Sequence, residues 1–268
     1  MKRFIKSLVV VFLFLASFDA AFASFISITT DIEGVVLDGG LGRSNLKVVN
    51  LGDESAFETS VSFHLPQGFT AEEVFMGRLD PTQPFESGII VEAPAEALPG
   101  VYSAAASVNY RDANSYPFSA VTPFYITVGR QTTTAVFAVL DEATVSEGRG
   151  AKLKLSVKNP DSTNRNAIVT LYLPRELEAK GYSKTLLLPG RESAGLDFKV
   201  SSFSALPGSS YAVFAGVSYI ENEMMHSTFG RGTIAVVEKQ PLVSNNTIKA
   251  VLAVLVILFL ALQLRRKG

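Results

Sequence analysis

The residue types that carry most enzyme chemistry are scarce in this chain. Its 268 residues include two histidines, His64 and His226, and no cysteine. A thiol nucleophile is excluded, and a transition-metal site would have to bring both imidazoles together. His64 precedes Leu65-Pro66 and His226 follows Met224-Met225, places that are not equivalent in the repeat described below, which argues against a shared site. Neither a Gly-x-Ser-x-Gly elbow nor a His-Glu-x-x-His helix occurs. Ser44-Asn45-Leu46-Lys47 spells Ser-x-x-Lys but heads into a strand pattern. Gly39-Gly40-Leu41-Gly42 lacks the helix and the Lys-Ser/Thr ending of a phosphate loop and reads as a turn. Asp31, Glu33 and Asp38 are not spaced as a calcium loop, while Glu72-Glu73 and Asp141-Glu142 read as surface charge. The expectation is a protein without catalytic residues, metal or cofactor.

Binding chemistry is better supplied. Phenylalanine is abundant at 19 residues, and tryptophan is absent. Phe69, Phe75 and Phe85 lie between turn signals, away from the clear strand rows, and are candidates for a partner-contact surface or for filling beneath a long loop. Met224 and Met225 form a second candidate at a loop tip.

The elements that would position these side chains follow from an internal repeat. Ala97-Leu98-Pro99-Gly100 recurs as Ala205-Leu206-Pro207-Gly208 and Leu65-Pro66 as Leu173-Pro174, both at an offset of 108. Tyr102, Val108 and Tyr110 recur as Tyr211, Val217 and Tyr219 at 109, and Leu46-Lys47-Val48-Val49-Asn50 echoes Leu155-Ser156-Val157-Lys158-Asn159. The chain therefore divides into module 1 (residues 24–130) and module 2 (residues 131–238). In both, the apolar period is that of strands: Leu153, Leu155 and Val157 alternate with Lys152, Lys154, Ser156 and Lys158. About seven strands per module predict an all-β fold of two tandem sandwiches, with at most one helical turn at residues 176–180. Tyr102 and Tyr211 each open the penultimate strand after a Gly-containing corner. That is the place of a structural tyrosine whose hydroxyl bonds back to a loop carbonyl.

The two ends carry signals of their own. Lys2, Arg3 and Lys6, an apolar run at 8–16 and Ala21-Phe22-Ala23 read as a cleavable signal peptide over residues 1–23. Residues 248–264 form an apolar stretch of 17, followed by Arg265-Arg266-Lys267-Gly268. Together these predict a transmembrane helix with a cytoplasmic basic tail at 265–268. Removing leader and anchor leaves 17 basic and 24 acidic side chains, a net of about −7, which gives nucleic acid no cationic footprint. A secreted chain without cysteine must rely on full-sized cores. The lack of both disulfide and tryptophan points to a bacterial or archaeal envelope.

The order of a Leu-Lys-Val-Val-Asn strand, a strand ending in Leu-Pro, a Leu-Pro-Gly-x-Tyr corner and a Val-x-Tyr strand resembles the bacterial and archaeal cell-adhesion-related immunoglobulin-like modules. Tyr110-Arg111-Asp112-Ala113-Asn114 is similar to the acidic hairpin turn common in that group, whereas Tyr219-Ile220-Glu221-Asn222-Glu223 departs from it. The resemblance implies an envelope-exposed interaction or spacer role and transfers no catalytic residue. The nine residues 239–247 span at most about 30 Å. Module 2 is then expected beside the membrane, with module 1 standing farther out and limited hinging at 129–132. The leading expectation is an anchored protein that binds or positions an envelope protein. The alternatives are a binder of wall polysaccharide and an accessory subunit of a secretion or transport complex.

Overall fold

The computed structural model describes residues 25–238 apart from Glu147. The expected leader at 1–23, tether at 239–247, apolar span at 248–264 and tail at 265–268 lie outside the described residues. Among the described residues no helix is long and apolar enough to cross a membrane.

The described chain is all-β. Module 1 contains β1 (Ile28–Ile32), β2 (Val35–Asp38), β3 (Leu41–Asn50), β4 (Ala56–His64), β5 (Thr70–Ala71), β6 (Val74–Leu79), β7 (Pro84–Glu92), β8 (Gly100–Arg111) and β9 (Pro117–Val128). Module 2 repeats the series as β10 (Phe137–Leu140), β11 (Ala143–Ser146), β12 (Ala151–Lys158), β13 (Arg165–Tyr172), β14 (Leu177–Ala179), β15 (Ser183–Leu188), β16 (Ser193–Ser202), β17 (Ser210–Glu221) and β18 (Met224–Val237). In each module the first strand of a seven-strand reading is split in two, so that one half serves each sheet. A fragment of two or three residues, β5 or β14, adds a further piece too short to leave a period in the sequence.

In module 2 one sheet runs β10-β12-β16-β14, and the facing one β15-β13-β17-β18 with β11 alongside β18. Module 1 has the same pairs, with β1-β3-β7-β5 facing β6-β4-β8-β9-β2. Its sheets are joined through the β2–β3 hairpin, turned at Gly39 and Gly40 with φ of 59° and 84°. Both of those values require the left-handed region, the signature of a two-residue hairpin turn. Each sandwich closes over its own core. Val35, Leu46, Val48, Val61, Val91 and Ile126 are fully buried in module 1, and Leu153, Leu155, Leu188, Phe198 and Ile234 in module 2. Burying such a side chain contributes about 1.5–3 kcal/mol each.

The helical turn expected at 176–180 is instead strand β14, which pairs with β16 through Leu177↔Ser202 and Ala179↔Val200. Tertiary pairing overrides local preference in so short a segment.

The modules do not stand end to end. Met225 bridges to Gly100 at one end of the pair, and the Tyr116 hydroxyl donates to the Ser204 carbonyl at 2.6 Å at the other. Between these points the Ser103 and Ser218 hydroxyls lie 3.1 Å apart. Strand β8 thus runs antiparallel to β17 along the length of module 2, and module 1 folds back beside it. The sequence expectation set module 1 farther out than module 2; among the described residues the two lie side by side, with residues 25 and 237 at the same end. The short joint permits the fold-back, because Thr132 donates to the Met225 carbonyl at 2.7 Å and the Thr133 carbonyl meets His226 Nδ1 at 2.9 Å.

Candidate functional site

Strand β8 explains how the modules meet. Its residues 100–108 are buried on both faces. Tyr102, Ala104, Ala106 and Val108 point into the module 1 core, and Ser103, Ala105 and Ser107 point outward, yet are buried as well. The cover comes from module 2: Ala105 and Val121 pack with Tyr172 and Phe214, and with Phe229 beside them. Tyr125 and Phe229 have ring centroids 5.0 Å apart. The Ser103 side chain sits so close to Gly216 that a Cβ there would collide with it. Small residues on one face and aromatics on the other make a tight contact between two sheets.

At the end of this contact lies a buried carboxylate. Glu176 is fully buried, with Oε1 accepting the Ser119 N–H at 2.6 Å and Oε2 accepting the Ser119 hydroxyl at 2.6 Å. Ser119 Oγ in turn accepts the Arg175 N–H at 2.8 Å. Burial raises the Glu176 pKa, opposed by the Ser119 hydrogen bonds and the Arg175 charge. Burial also raises Tyr110, with the charge of Glu176 and then Tyr211 adding to the effect. The Ser119 N–H taken by Glu176 is one that β9 does not give to β8. Pro123, farther along, has no N–H, and β2 pairs with β9 only at Ile126, Thr127 and Val128. The outer edge of β9 is thereby blocked against addition of a further strand.

Beside this junction a cleft of about 580 Å³ runs between the modules. Phe25, Ile26 and Ile28 supply one wall, Tyr110, Phe118 and Val121 the floor from module 1, and Pro174, Leu206 and Tyr211 the wall from module 2. Glu54, Asp112, Ser119 and Ser209 place polar groups around it. The aromatic floor is held by stacking, with Tyr110 and Phe118 centroids 5.6 Å apart and Tyr116 and Phe118 5.2 Å apart. Apolar walls with a few convergent polar groups are the usual build of a binding site.

The residues singled out from sequence fall elsewhere. Phe69 is buried against Tyr102, ring centroids 4.9 Å apart, and belongs to the core of module 1. Phe85 on β7 is half-buried against the same core, and Phe75 on edge strand β6 is 74% exposed. The three are spread over the core and both sheets and do not form one surface. Met225 joins the module contact, its N–H donating to the Pro99 carbonyl at 2.8 Å, and Met224 sits at the adjoining end of β18. The Tyr102 hydroxyl donates to the Leu98 carbonyl at 2.8 Å. Tyr211 stands at the equivalent corner, its hydroxyl interacting with Ser209, which itself donates to the Leu206 carbonyl.

The residues set aside as structural have structural partners. The Ser44 hydroxyl donates to the Glu33 carbonyl at 2.7 Å, and Lys47 pairs with Glu86 at 3.0 Å. His64 lies near Tyr172 (6.4 Å) and His226 stacks on Tyr219 (5.1 Å). Among the described residues no cluster of three or more acidic or histidine side chains is arranged to hold a metal. Glu176, Ser119 and Tyr116 were not singled out from sequence. The signal that would have found them is the run of small residues on the outward face of β8, which implies a close cover.

No known protein family matches the sequence, and no curated protein matches it. Among solved structures the chain is similar to the periplasmic chaperone SfaE, at 11% identity over 80% of this chain and 100% of that one, with a TM-score of 0.32. It is similar to a protein of unknown function from Porphyromonas gingivalis W83, at 13% identity over 78% of this chain and 99% of that one (TM-score 0.30). A third likeness is to E. coli alpha-2-macroglobulin in its native conformation, at 12% identity over 80% of this chain and 17% of that one (TM-score 0.32).

Proposed function

We propose that this chain is a non-enzymatic, membrane-anchored envelope protein that binds or positions a protein partner with its two immunoglobulin-like modules acting as one rigid body. The observation that carries this reading is the cleft of about 580 Å³ between the modules, walled by Phe25, Tyr110, Phe118, Leu206 and Tyr211. A cleft set between two packed sandwiches needs little reorganisation on binding, which lowers the ordering cost. Because the outer edge of β9 is blocked at Ser119 and Pro123, the partner docks through side chains in the cleft and does not add a strand there.

The signal peptide over 1–23 and the helix over 248–264 would place the pair outside the cytoplasmic membrane, with residues 265–268 inside. Site-specific photo-crosslinking of the full chain in intact cells tests the reading. A photoreactive residue replaces Thr122, which lines the cleft, or Ile90, on the far face of module 1. A protein adduct at position 122 and none at 90 is the expected result. An integral membrane protein as the adduct would make the chain an accessory subunit of that complex. Retention on wall polysaccharide with no protein adduct would replace the protein-partner reading by a carbohydrate-binding one.

A further inference from the structure

The fold-back of module 1 puts both termini of the described chain at one end of the molecule, and that end exposes large apolar side chains beside the polar tips at residues 80–83 and 112–115. At module 2, the Gly208 N–H donates to the Val236 carbonyl at 2.7 Å, tying the loop before β17 to the last residues of β18. At module 1, the Leu51 N–H donates to the Ser27 carbonyl at 2.7 Å, and the Asp53 N–H to the Phe25 carbonyl at 3.0 Å. Tyr116 and Ser204 join the two halves, and Phe25 and Leu206 share the cleft. The large apolar side chains at this end, Phe25, Leu51, Phe203, Leu206 and Val237, are 40–70% exposed. The tips at the opposite end are Asp38-Gly39-Gly40, Gln67-Gly68, Gly190-Arg191-Glu192 and Asn222-Glu223, all small or polar, with Phe137 and Ile220 exposed on the adjoining strands. Within Ser201-Ser202-Phe203-Ser204 the phenylalanine is 70% exposed, although its N–H is tied to the Glu176 carbonyl at 2.9 Å.

The chain outside the described residues identifies the cover. Nine residues, 239–247, separate the end of module 2 from the apolar stretch at 248–264. They reach at most about 30 Å. The geometry points to this end as a bilayer-contacting rim: Phe25, Leu51, Phe203 and Leu206 enter the boundary between headgroups and acyl chains, and both modules rest on the membrane side by side. Apolar side chains set about 5–10 Å into that boundary hold a peripheral surface without spanning it. Asp53, Glu54 and Asp112 stand at the same end as Arg78, Arg111 and Arg175, a mixed set of charges that suits a zwitterionic or weakly charged bilayer. Since Phe25 and Leu206 also wall the cleft, the cleft lies at the membrane surface, and its partner presents a segment close to the bilayer. The inference rests on the anchored reading above.

The chain contains no tryptophan, so a single introduced one is an unambiguous probe. The full chain is reconstituted in phosphatidylcholine vesicles, with and without brominated acyl chains, as Phe203→Trp, Leu51→Trp, Phe75→Trp or Phe137→Trp. Bromine is expected to quench Phe203→Trp and Leu51→Trp at least about twofold while leaving Phe75→Trp and Phe137→Trp unchanged. Equal quenching at positions 203 and 75 overturns the rim. A blue-shifted, unquenched Phe203→Trp in a particle of doubled mass also overturns it, in favour of a contact between copies. Alkaline carbonate extraction separates the two readings. A chain that stays with the vesicles but shows no quenching rejects the rim alone, whereas one that washes off rejects the anchor as well.

Discussion

The two modules carry the same core and differ in what they add to it. Asn50 ends β3 and Asn159 directly follows β12; both are fully buried and hold the following loop in the same way. Asn50 donates to the Glu54 carbonyl at 2.6 Å and accepts the Gly52 N–H at 3.0 Å. Asn159 donates to the Thr163 carbonyl at 2.8 Å and accepts the Asp161 N–H at 3.3 Å. Module 2 then adds a buried cation. Arg165, at the place Ala56 holds in module 1, pairs with Glu221 at 2.9 Å and Asp161 at 2.8 Å and lies over the Tyr219 ring at 4.9 Å. Burial works against its charge, but the bonds to Glu221 and Asp161 outweigh it and raise its pKa. The nearest counterpart in module 1 is the exposed Arg78–Asp80 pair at 2.6 Å. The faces that meet are equally unlike: Ala105 of module 1 and Phe214 of module 2 stand at equivalent positions, 109 apart, and pack in one cluster. A repeat that met itself with identical faces would place large against large. Here a small-residue face accepts an aromatic one, so the modules are complementary where a plain duplication would not be.

The largest test of this contrast is at the corners. Arg165→Ala removes the buried guanidinium from two partly exposed carboxylates and from Asn159 Oδ1, and is expected to cost about 1.5–3 kcal/mol of unfolding free energy. Arg78→Ala is expected to cost less than about 1 kcal/mol. Denaturant unfolding of both variants decides it, and equal losses would erase the distinction between the modules.

The face-to-face contact is tested next by Gly216→Val, whose added carbons meet Ser103 and the Tyr172 ring. Overpacking of this kind costs about 1–3 kcal/mol. The modules should part, seen as new protease cleavage in the joint at residues 129–135. Gly88→Ala, with open space around it, should leave both stability and cleavage unchanged.

The shared element is tested by the corner tyrosines. Tyr102→Phe and Tyr211→Phe each remove a hydroxyl bond and should lower stability by about 1 kcal/mol, alike in both modules. A loss in one module only would mean that the two corners are not equivalent.

The smallest effect depends on pH. The folded-state pKa of Glu176 lies above its ordinary value of 4.5. Its contribution is therefore fully present below the unfolded pKa and is lost as pH rises through the folded one. Glu176→Gln, neutral at every pH, removes that slope. Wild type should lose stability relative to the variant as pH rises from about 4.5 toward neutrality, read from melting temperatures across that range.

Much of the fold was legible in the chain because its signals are local. The alternation at Leu153, Leu155 and Val157 requires a strand with one wet face, and the offsets of 108 and 109 require two copies. Tyr102 and Tyr211, after their Leu-Pro-Gly corners, are placed by backbone geometry within a few residues. The same locality misled at residues 176–180, where pairing with β16 decided the conformation, and at Phe69, whose neighbours in sequence do not reveal that Tyr102 covers it. The candidate site was not legible at all. Ser119 and Glu176 are 57 residues apart, and each is unremarkable in its own segment.

The sequence alone determined two homologous β-sandwich cores, because the burial pattern of a strand is written every second residue. Only the tertiary structure decided that module 1 folds back on module 2, buries Glu176 between them and opens a cleft at the end where residues 25 and 238 lie. Contact between two folded surfaces depends on shapes assembled from distant segments, and no period along the chain records it.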